Sequence, residues 1–194
     1  MTYKEEITRE ELDQLPSFTF DGEITVVKTK DQLREAVAYL SGFSCLGFDT
    51  ETRPSFKKGH TNPVALLQLS TDERAFLFRL NHRDLPRKVI ALLTNPDIVK
   101  AGIAIRDDIK ALQAKKSFVP AGFVELQDLA KDRGITNFSL KKLSGIVLGI
   151  RISKAQQLSN WEAEELTEAQ LRYAATDAWV SHQVYQHFMN EHHG

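Results

Sequence analysis

The sequence predicts an α/β domain in which helices flank a mixed sheet of five to six strands. Short apolar and β-branched runs alternate with segments of helical periodicity along most of the chain, a pattern typical of α/β proteins. Early runs at 45–50, 64–69 and 75–78 lie close enough together to form an antiparallel meander. A later run at 98–103 is flanked by helical segments, so we expect it to pair in parallel.

The first half of the chain supplies one strand and one helix before the meander. Residues 24–27 form a β-branched run, and Asp31 is then expected to cap a helix that ends at Gly42. The segment 45–51 is apolar and then abruptly acidic, which predicts a buried strand with carboxylates at its exit. Prolines, a glycine and polar residues make 53–63 a loop.

The second half predicts mainly helices, separated by short extended segments. A run at 124–126 is extended, and a capping box at Thr167 opens the longest helix, which reaches about Asn190. Further helices are expected to begin at Pro86, beside Asp107 and Asp108, at Asp128 and at Ser139. We find no internal repeat and no change of composition that would mark a second domain.

Length and composition exclude several classes of protein. The 194 residues fit one globular domain at 21–194, preceded by a charged arm at 1–20. The single cysteine, Cys45, excludes an internal disulfide and a cysteine-based zinc finger. No apolar run resembles a signal peptide or a membrane span, so we expect an intracellular, cytoplasmic protein without a membrane partner. With a net charge of -1, any nucleic-acid contact must come from a local site.

Asp49 and Glu51 form the first acidic cluster. At i and i+2 on a strand their side chains point to the same face, roughly 6.5–7 Å apart along the strand. Two carboxylates so close repel each other unless a cation lies between them, and oxygen ligands suit Mg²⁺ or Mn²⁺. A strand that merely ends in solvent would carry the same pair. The apolar run before Asp49 favours the metal site, because open α/β sheets carry their sites at the carboxyl ends of strands.

Two further clusters lie on predicted helices. Asp107 and Asp108 stand where a strand-like run meets a helix, a position that simple helix capping would also explain. Tyr173 and Asp177 are four residues apart and share a helix face, although a solvated aspartate and a core tyrosine would give the same pattern. Together the clusters predict four carboxylates at one edge of the sheet, as in a two-metal site for phosphodiester cleavage.

The three clusters, in their order, resemble the exonuclease motifs of a known family. The stretches are FDTE at 48–51, GIAIRDD at 102–108 and YAATDA at 173–178, the last within SNWEAEELTEAQLRYAATDAW at 159–179. They are similar to those of the DEDDy 3'-5' exonucleases, in the branch of ribonuclease D and the exonuclease domain of the Werner syndrome helicase. The resemblance spans about 24–190 and implies a ribonuclease H-like fold of the DnaQ type.

The resemblance also implies roles for individual residues. The catalytic and metal-binding carboxylates would be Asp49, Glu51, Asp108 and Asp177. Asp49 would be shared by two Mg²⁺ or Mn²⁺ ions, and Tyr173 would orient the attacking water. The register within the second motif favours Asp108 over Asp107 as its essential aspartate, and leaves Asp107 as a local cap or helper.

Substrate contacts are expected around these carboxylates. The loop after Glu51 carries basic side chains, and the N-terminus of the helix that begins at Ser139 is suited to backbone phosphates. Lys154 lies in a polar segment where members of the family often carry a lysine near the active site. An ordinary solvated loop or helix end would explain the same residues. The expected substrate-binding residues are Thr50, Lys57, Lys58, His60, Ser139, Lys142 and Lys154.

The sequence therefore predicts a metal-dependent 3'-5' exonuclease that acts on single-stranded 3' ends of DNA or RNA and releases nucleoside 5'-monophosphates. Two alternatives stay open: an idle nucleic-acid-binding module on the same fold, and an enzyme restricted to very short oligonucleotides. An idle module usually lacks one of the metal carboxylates, whereas here all four positions and the tyrosine are filled.

Overall fold

The computed structural model describes residues 3–56, 59, 61–81 and 83–190. The strands are β1 (Glu23–Val27), β2 (Cys45–Thr52), β3 (Val64–Ser70), β4 (Arg74–Arg79), β5 (Val99–Gly102) and β6 (Phe123–Glu125). The helices are α1 (Arg9–Gln14), α2 (Lys30–Leu40), α3 (Arg87–Leu93), α4 (Ile105–Lys115), α5 (Leu126–Asp132), α6 (Leu140–Leu148) and α7 (Glu168–Asn190). Each strand and helix predicted from the sequence is present, with ends that differ by a few residues.

One mixed sheet contains these strands in the order β1-β4-β3-β2-β5-β6. β2, β3 and β4 form the predicted antiparallel meander. β5 pairs in parallel with β2, β6 pairs in parallel with β5, and β1 pairs in parallel with β4. The predicted mixed sheet is confirmed. Because β2 and β5 run in the same direction, their carboxyl ends meet at one edge of the sheet.

Helices cover both faces of the sheet. On one face, α2, α3 and α4 enclose an apolar core against β2, β3 and β4. On the other face, α7 lies across the same strands, and α5 and α6 pack against it. Every residue of β3 is buried, as expected for a strand that is covered on both faces. Among the described residues, no helix combines the length and the apolar character that crossing a bilayer requires.

A glycine lets α7 approach β2 closely. A Cβ atom on Gly47 would lie 1.8 Å from the backbone oxygen of Ala178, so any larger residue would displace the helix. Ala174, Ala175 and Ala178 are fully buried where α7 crosses the sheet. These small residues place the middle of α7 directly against β2.

Side-chain caps determine where several helices begin. The predicted caps at Ser139 and Thr167 are present at the starts of α6 and α7. The expectation for α2 is wrong, because Thr29 rather than Asp31 caps it. Thr29 forms a capping box with Gln32, which leaves Asp31 inside the first turn.

The charged segment before residue 21 packs against the rest of the chain. It contains α1, whose Leu12 is buried, and two backbone hydrogen bonds of 2.9 Å join Pro16 and Phe18 to Arg151. Gly145 of α6 faces this segment, since a Cβ there would lie 2.6 Å from the Leu12 side chain. The division into an arm at 1–20 and a domain at 21–194 stays a prediction from the sequence.

Candidate active site

Three carboxylates meet where β2 passes beneath α7. Asp49 and Glu51 leave β2 on the face that α7 covers, because alternate residues share a face and Gly47 contacts α7 there. Asp177 lies buried in the middle of α7. Carboxylate oxygens of these three residues all lie within 4.8 Å of one another. The fold therefore brings together acidic residues from the first and third sequence motifs.

Burial and mutual repulsion make the ionised carboxylates of this cluster unfavourable unless a positive charge lies nearby. Burial, together with repulsion from Asp49 and Asp177, raises the pKa of Glu51 to about 10. Burial, together with repulsion from Asp177 and Asp108, raises the pKa of Asp49 well above its ordinary range. Burial raises the pKa of Asp177 to about 7, although the hydroxyl of Tyr173 and the ammonium of Lys154 oppose the rise in its pKa. A set of closely spaced oxygen donors with raised pKa values fits a hard divalent cation.

Asp108 adjoins the cluster from the first turn of α4, whereas Asp107 faces solvent. The hydroxyl of Thr50 donates a hydrogen bond to the Asp108 carboxylate and so ties α4 to β2. Burial raises the pKa of Asp108, and the hydrogen bond from Thr50 opposes that rise. The Asp107 side chain is 91% exposed and pairs with Lys110 at 3.2 Å. The sequence suggests that Asp107 caps α4. The structure differs, because Ala104 occupies the N-cap position.

Tyr173 lies one helical turn before Asp177 and on the same side of α7. Its hydroxyl faces the Asp177 carboxylate closely enough to oppose the rise in the pKa of that carboxyl group. Its ring lies 6.0 Å from the ring of Trp161, which is fully buried and helps to hold the tyrosine in place. Burial and the neighbouring carboxylates raise the pKa of Tyr173, so the hydroxyl keeps its proton at neutral pH.

A pocket of about 380 Å³ opens over the carboxylates. It is bounded by the end of β2, the turn after β5, the starts of α5 and α6, the segment 152–157 and one side of α7. Thr50, Ser139 and Lys154, which the sequence predicts as substrate contacts, all line this pocket. The structure thus gathers them around the carboxylates.

Lys142, which the sequence also predicts as a substrate contact, does not line this pocket. The ammonium of Lys142 donates a hydrogen bond of 2.5 Å to the carbonyl of Ile7, on the far side of α6, and the neighbouring Lys141 lines the pocket instead. The expectation for Lys142 therefore placed the positive charge one residue too far along the helix. Lys57, Lys58 and His60 lie outside the described residues.

Sequence reasoning missed several residues that line the pocket. Gln127, Ser153 and Gln157 supply neutral polar groups, and Ile103 and Ile152 supply apolar surface. None of the five carries a charge or belongs to a metal-ligand pattern. Only the arrangement of the chain in three dimensions identifies them.

Comparison with known proteins agrees with this geometry. The family model described as 3'-5' exonuclease matches residues 24–193. The chain belongs to the 3'-5' exonuclease family. It is 34% identical over 188 residues to the mouse bifunctional 3'-5' exonuclease/ATP-dependent helicase WRN. That alignment covers 92% of this chain and 13% of the mouse protein, so the chain spans a small part of that relative's length.

Solved structures of exonucleases share the fold of this domain. The EXO domain of Aedes aegypti Nibbler superimposes with a TM-score of 0.78 at 25% identity, covering 90% of this chain and 92% of that one. Escherichia coli RNase D, an exoribonuclease involved in structured RNA processing, gives a TM-score of 0.78 at 23% identity, covering 87% of this chain and 45% of that one. The ribonuclease H-like fold implied by the sequence motifs is confirmed, and the domain is a 3'-5' exonuclease domain.

Proposed function

We propose that this domain hydrolyses phosphodiester bonds from the 3' end of nucleic acids with divalent metal ions and releases nucleoside 5'-monophosphates. The observation that carries the proposal is the cluster of Asp49, Glu51 and Asp177, whose carboxylate oxygens lie within 4.8 Å of one another beneath a pocket. Membership in the 3'-5' exonuclease family supports nuclease chemistry at this cluster.

The carboxylates would hold two cations, Mg²⁺ or Mn²⁺. Asp49, Glu51 and Asp177 form one group of potential ligands, and Asp108 adjoins them through Thr50. When bound, the ions would activate the attacking water and stabilise the leaving 3'-oxygen. Their charge would also reverse the repulsion that four carboxylates exert on an anionic phosphate. The raised pKa values support this assignment, because a nearby cation favours the ionised form of each carboxyl group.

Tyr173 would orient the attacking water. Because its hydroxyl keeps its proton, it can donate to Asp177 and accept a hydrogen bond from water with its oxygen. A group that positions water in this way typically contributes about 10²–10⁴-fold to the rate. The buried ring of Trp161 would hold the hydroxyl at a constant position.

The pocket would receive the last nucleotide of a single strand. Its volume of about 380 Å³ lies at the lower end of small-ligand sites, roughly 300–1,000 Å³, and suits one nucleotide better than a duplex end. Lys141 and Lys154 would contact phosphates, and the N-terminus of α6 at Ser139 adds backbone N–H donors. We propose single-stranded 3' ends of DNA or RNA as the substrate, and the RNA-processing role of E. coli RNase D supports RNA.

Three proposals rest on the sequence alone. The exonuclease domain would comprise residues 21–194, with an arm at 1–20. We propose the cytoplasm as its place in the cell. Lys57, Lys58 and His60 are kept as proposed substrate contacts on the loop that follows β2.

A digestion series tests the function. Single- and double-stranded DNA and RNA, labelled at the 5' end, are incubated with Mg²⁺ or Mn²⁺, and the products are separated by size and identified by mass. We expect stepwise shortening from the 3' end with release of 5'-monophosphates, and resistance of a 3'-phosphorylated strand. Asp49→Ala should abolish cleavage, because it removes a carboxylate from the cluster of three.

Other results would support the alternatives. Binding of nucleic acid without cleavage of any substrate would identify an idle module. Cleavage of dinucleotides but not of longer strands would identify an enzyme for very short oligonucleotides. Rapid internal cutting of a circular single strand would contradict an exonuclease.

A further inference from the structure

Glu125, the last residue of β6, holds the starts of two helices with one carboxylate. Its Oε1 accepts a hydrogen bond of 3.0 Å from the N–H of Ala104, and its Oε2 accepts one of 3.0 Å from the N–H of Ile105. Oε1 also accepts a hydrogen bond of 3.1 Å from the N–H of Gln127, so the same side chain caps α5. Three backbone donors that the helices themselves leave unpaired are thus bound by a single group.

The turn from β5 into α4 has no cap of its own. Ala104 is the N-cap residue of α4, and its methyl group cannot accept a hydrogen bond. Its φ of 54° lies in the left-handed region, which no other non-glycine residue of the described chain adopts and which is unfavourable for a residue with a Cβ. Gly102 is also tightly packed, because a Cβ there would lie 2.7 Å from the carbonyl oxygen of Phe48. Glu125 therefore supplies, from a neighbouring strand, the hydrogen bonds that stabilise an otherwise strained turn.

The position of this turn determines where Asp108 lies. Asp108 is the fourth residue of α4 and moves with its first turn. If the helix began one residue earlier or later, Asp108 would rotate by about 100° around the axis and shift by about 1.5 Å along it. The hydrogen bond from the Thr50 hydroxyl would then be lost, and the carboxylate would leave the edge of the acidic cluster.

We propose that Glu125 is a positioning residue for the active site, which fixes the start of α4 and so keeps Asp108 beside the metal-binding carboxylates. This inference rests on the function proposed above. In the register of the sheet Glu125 lies opposite Gly102, so its side chain reaches the turn directly. It acts on the site through α4, and it also orients Gln127, which lines the pocket.

Four variants test the proposal. Glu125→Ala removes all three acceptor contacts, and Glu125→Gln keeps one acceptor oxygen but offers an NH₂ group where the second N–H needs an acceptor. Ala104→Gly combined with Glu125→Ala gives the turn a residue that adopts a positive φ without strain. Asp128→Asn is the matched control, because it removes a nearby exposed carboxylate from the first turn of α5.

Two quantities are measured at a temperature where circular dichroism shows every variant to be folded. They are kcat and KM on a labelled single strand, and the affinity for Mn²⁺ by calorimetry without substrate. Groups that orient metal ligands typically contribute about 10–100-fold to metal affinity or activity. We expect Glu125→Ala to lose about this factor in both kcat and Mn²⁺ affinity, with KM changed by less than about three-fold, and Glu125→Gln to lose less.

The rescue and control variants separate positioning from general stability. Ala104→Gly with Glu125→Ala should regain at least part of the Mn²⁺ affinity, and Asp128→Asn should match the wild type. Wild-type kcat and Mn²⁺ affinity in Glu125→Ala, with only a lower melting temperature, would overturn the proposal. If the wild-type protein cleaved no nucleic acid, the proposed function would fail. The Mn²⁺ affinities would still decide the role of Glu125.

Discussion

Asp177 allows a direct test of the electrostatics of the site, because its burial should make the metal-free protein lose stability as the pH rises. Burial raises its pKa in the folded chain to about 7, from an ordinary value of 3.8. An unfolded chain therefore releases this proton near pH 4, whereas the folded chain keeps it until about pH 7. The contribution of Asp177 to stability is present below about pH 4 and is lost as the pH rises to about 7.

The expected loss follows from these two pKa values. Each pH unit between them lowers the free energy of unfolding by about 1.4 kcal/mol, so the whole window accounts for about 4 kcal/mol. Asp177→Asn has no proton to release, has nearly the same size and keeps an oxygen that can accept a hydrogen bond from the Tyr173 hydroxyl. Relative to the wild type, the variant should gain about 3 kcal/mol in unfolding free energy between pH 5 and pH 8.

Urea unfolding in excess EDTA, at several pH values from 5 to 8, measures this difference. Asp107→Asn is the control for the loss of one carboxylate outside the cluster of three, because its side chain is 91% exposed. Saturating Mn²⁺ should stabilise the wild type more than Asp177→Asn, since the bound cations replace the protons. A stability difference between the two proteins that stays constant from pH 5 to pH 8 would refute the reasoning, because Asp177 would then ionise in the folded chain as it does in water.

Three further substitutions test the other groups of the site. Asp108→Asn is expected to lose most cleavage activity and Asp107→Asn almost none, because Asp108 adjoins the carboxylate cluster and Asp107 does not. The reverse order in a cleavage assay would identify Asp107 as the active residue. Tyr173→Phe should lower kcat by about 10²–10⁴-fold, with little change in KM or melting temperature, and full turnover would show that the tyrosine serves only packing. Gly47→Ala should lower the free energy of unfolding in urea by about 1–3 kcal/mol and weaken Mn²⁺ binding in calorimetry, because the new methyl group would displace α7 at Ala178. An unchanged Mn²⁺ affinity would contradict the importance of this contact.

The strands and helices could be predicted from the sequence because their signals act over a few residues. The capping box at Thr167 and the apolar periodicity after it locate α7 without any knowledge of the rest of the fold. The start of α2 was harder, because Thr29 and Asp31 are both good caps and the choice depends on Gln32 closing a box with Thr29. The pairing of β1 with β4 joins distant parts of the chain, and no local pattern indicates it.

Some residues of the site could likewise be predicted from the local sequence, whereas others depend on how distant parts of the chain pack. Asp49, Glu51 and Asp177 could be chosen because a carboxylate shows its chemistry in the sequence and its face follows from the period of a strand or helix. Lys141 and Lys142 differ by about 100° around one helix, and only the packing of α6 decides which of them faces the pocket. Neutral residues of the pocket wall carry no such signal at all.

The position of Asp177 depends on Gly47, a residue far away in the sequence. The sequence of α7 leaves open whether Asp177 is solvated or buried. A mid-helix aspartate is usually solvated, and nothing within α7 excludes that state. The absence of a side chain on Gly47 lets the backbone of Ala178 lie against β2, and this contact carries Asp177 below the surface to Asp49 and Glu51. Burial then raises its pKa, and a bound cation would favour the ionised carboxylate again. A solvated aspartate would only repel a phosphate, so the proposed chemistry depends on this glycine as much as on the carboxylates themselves.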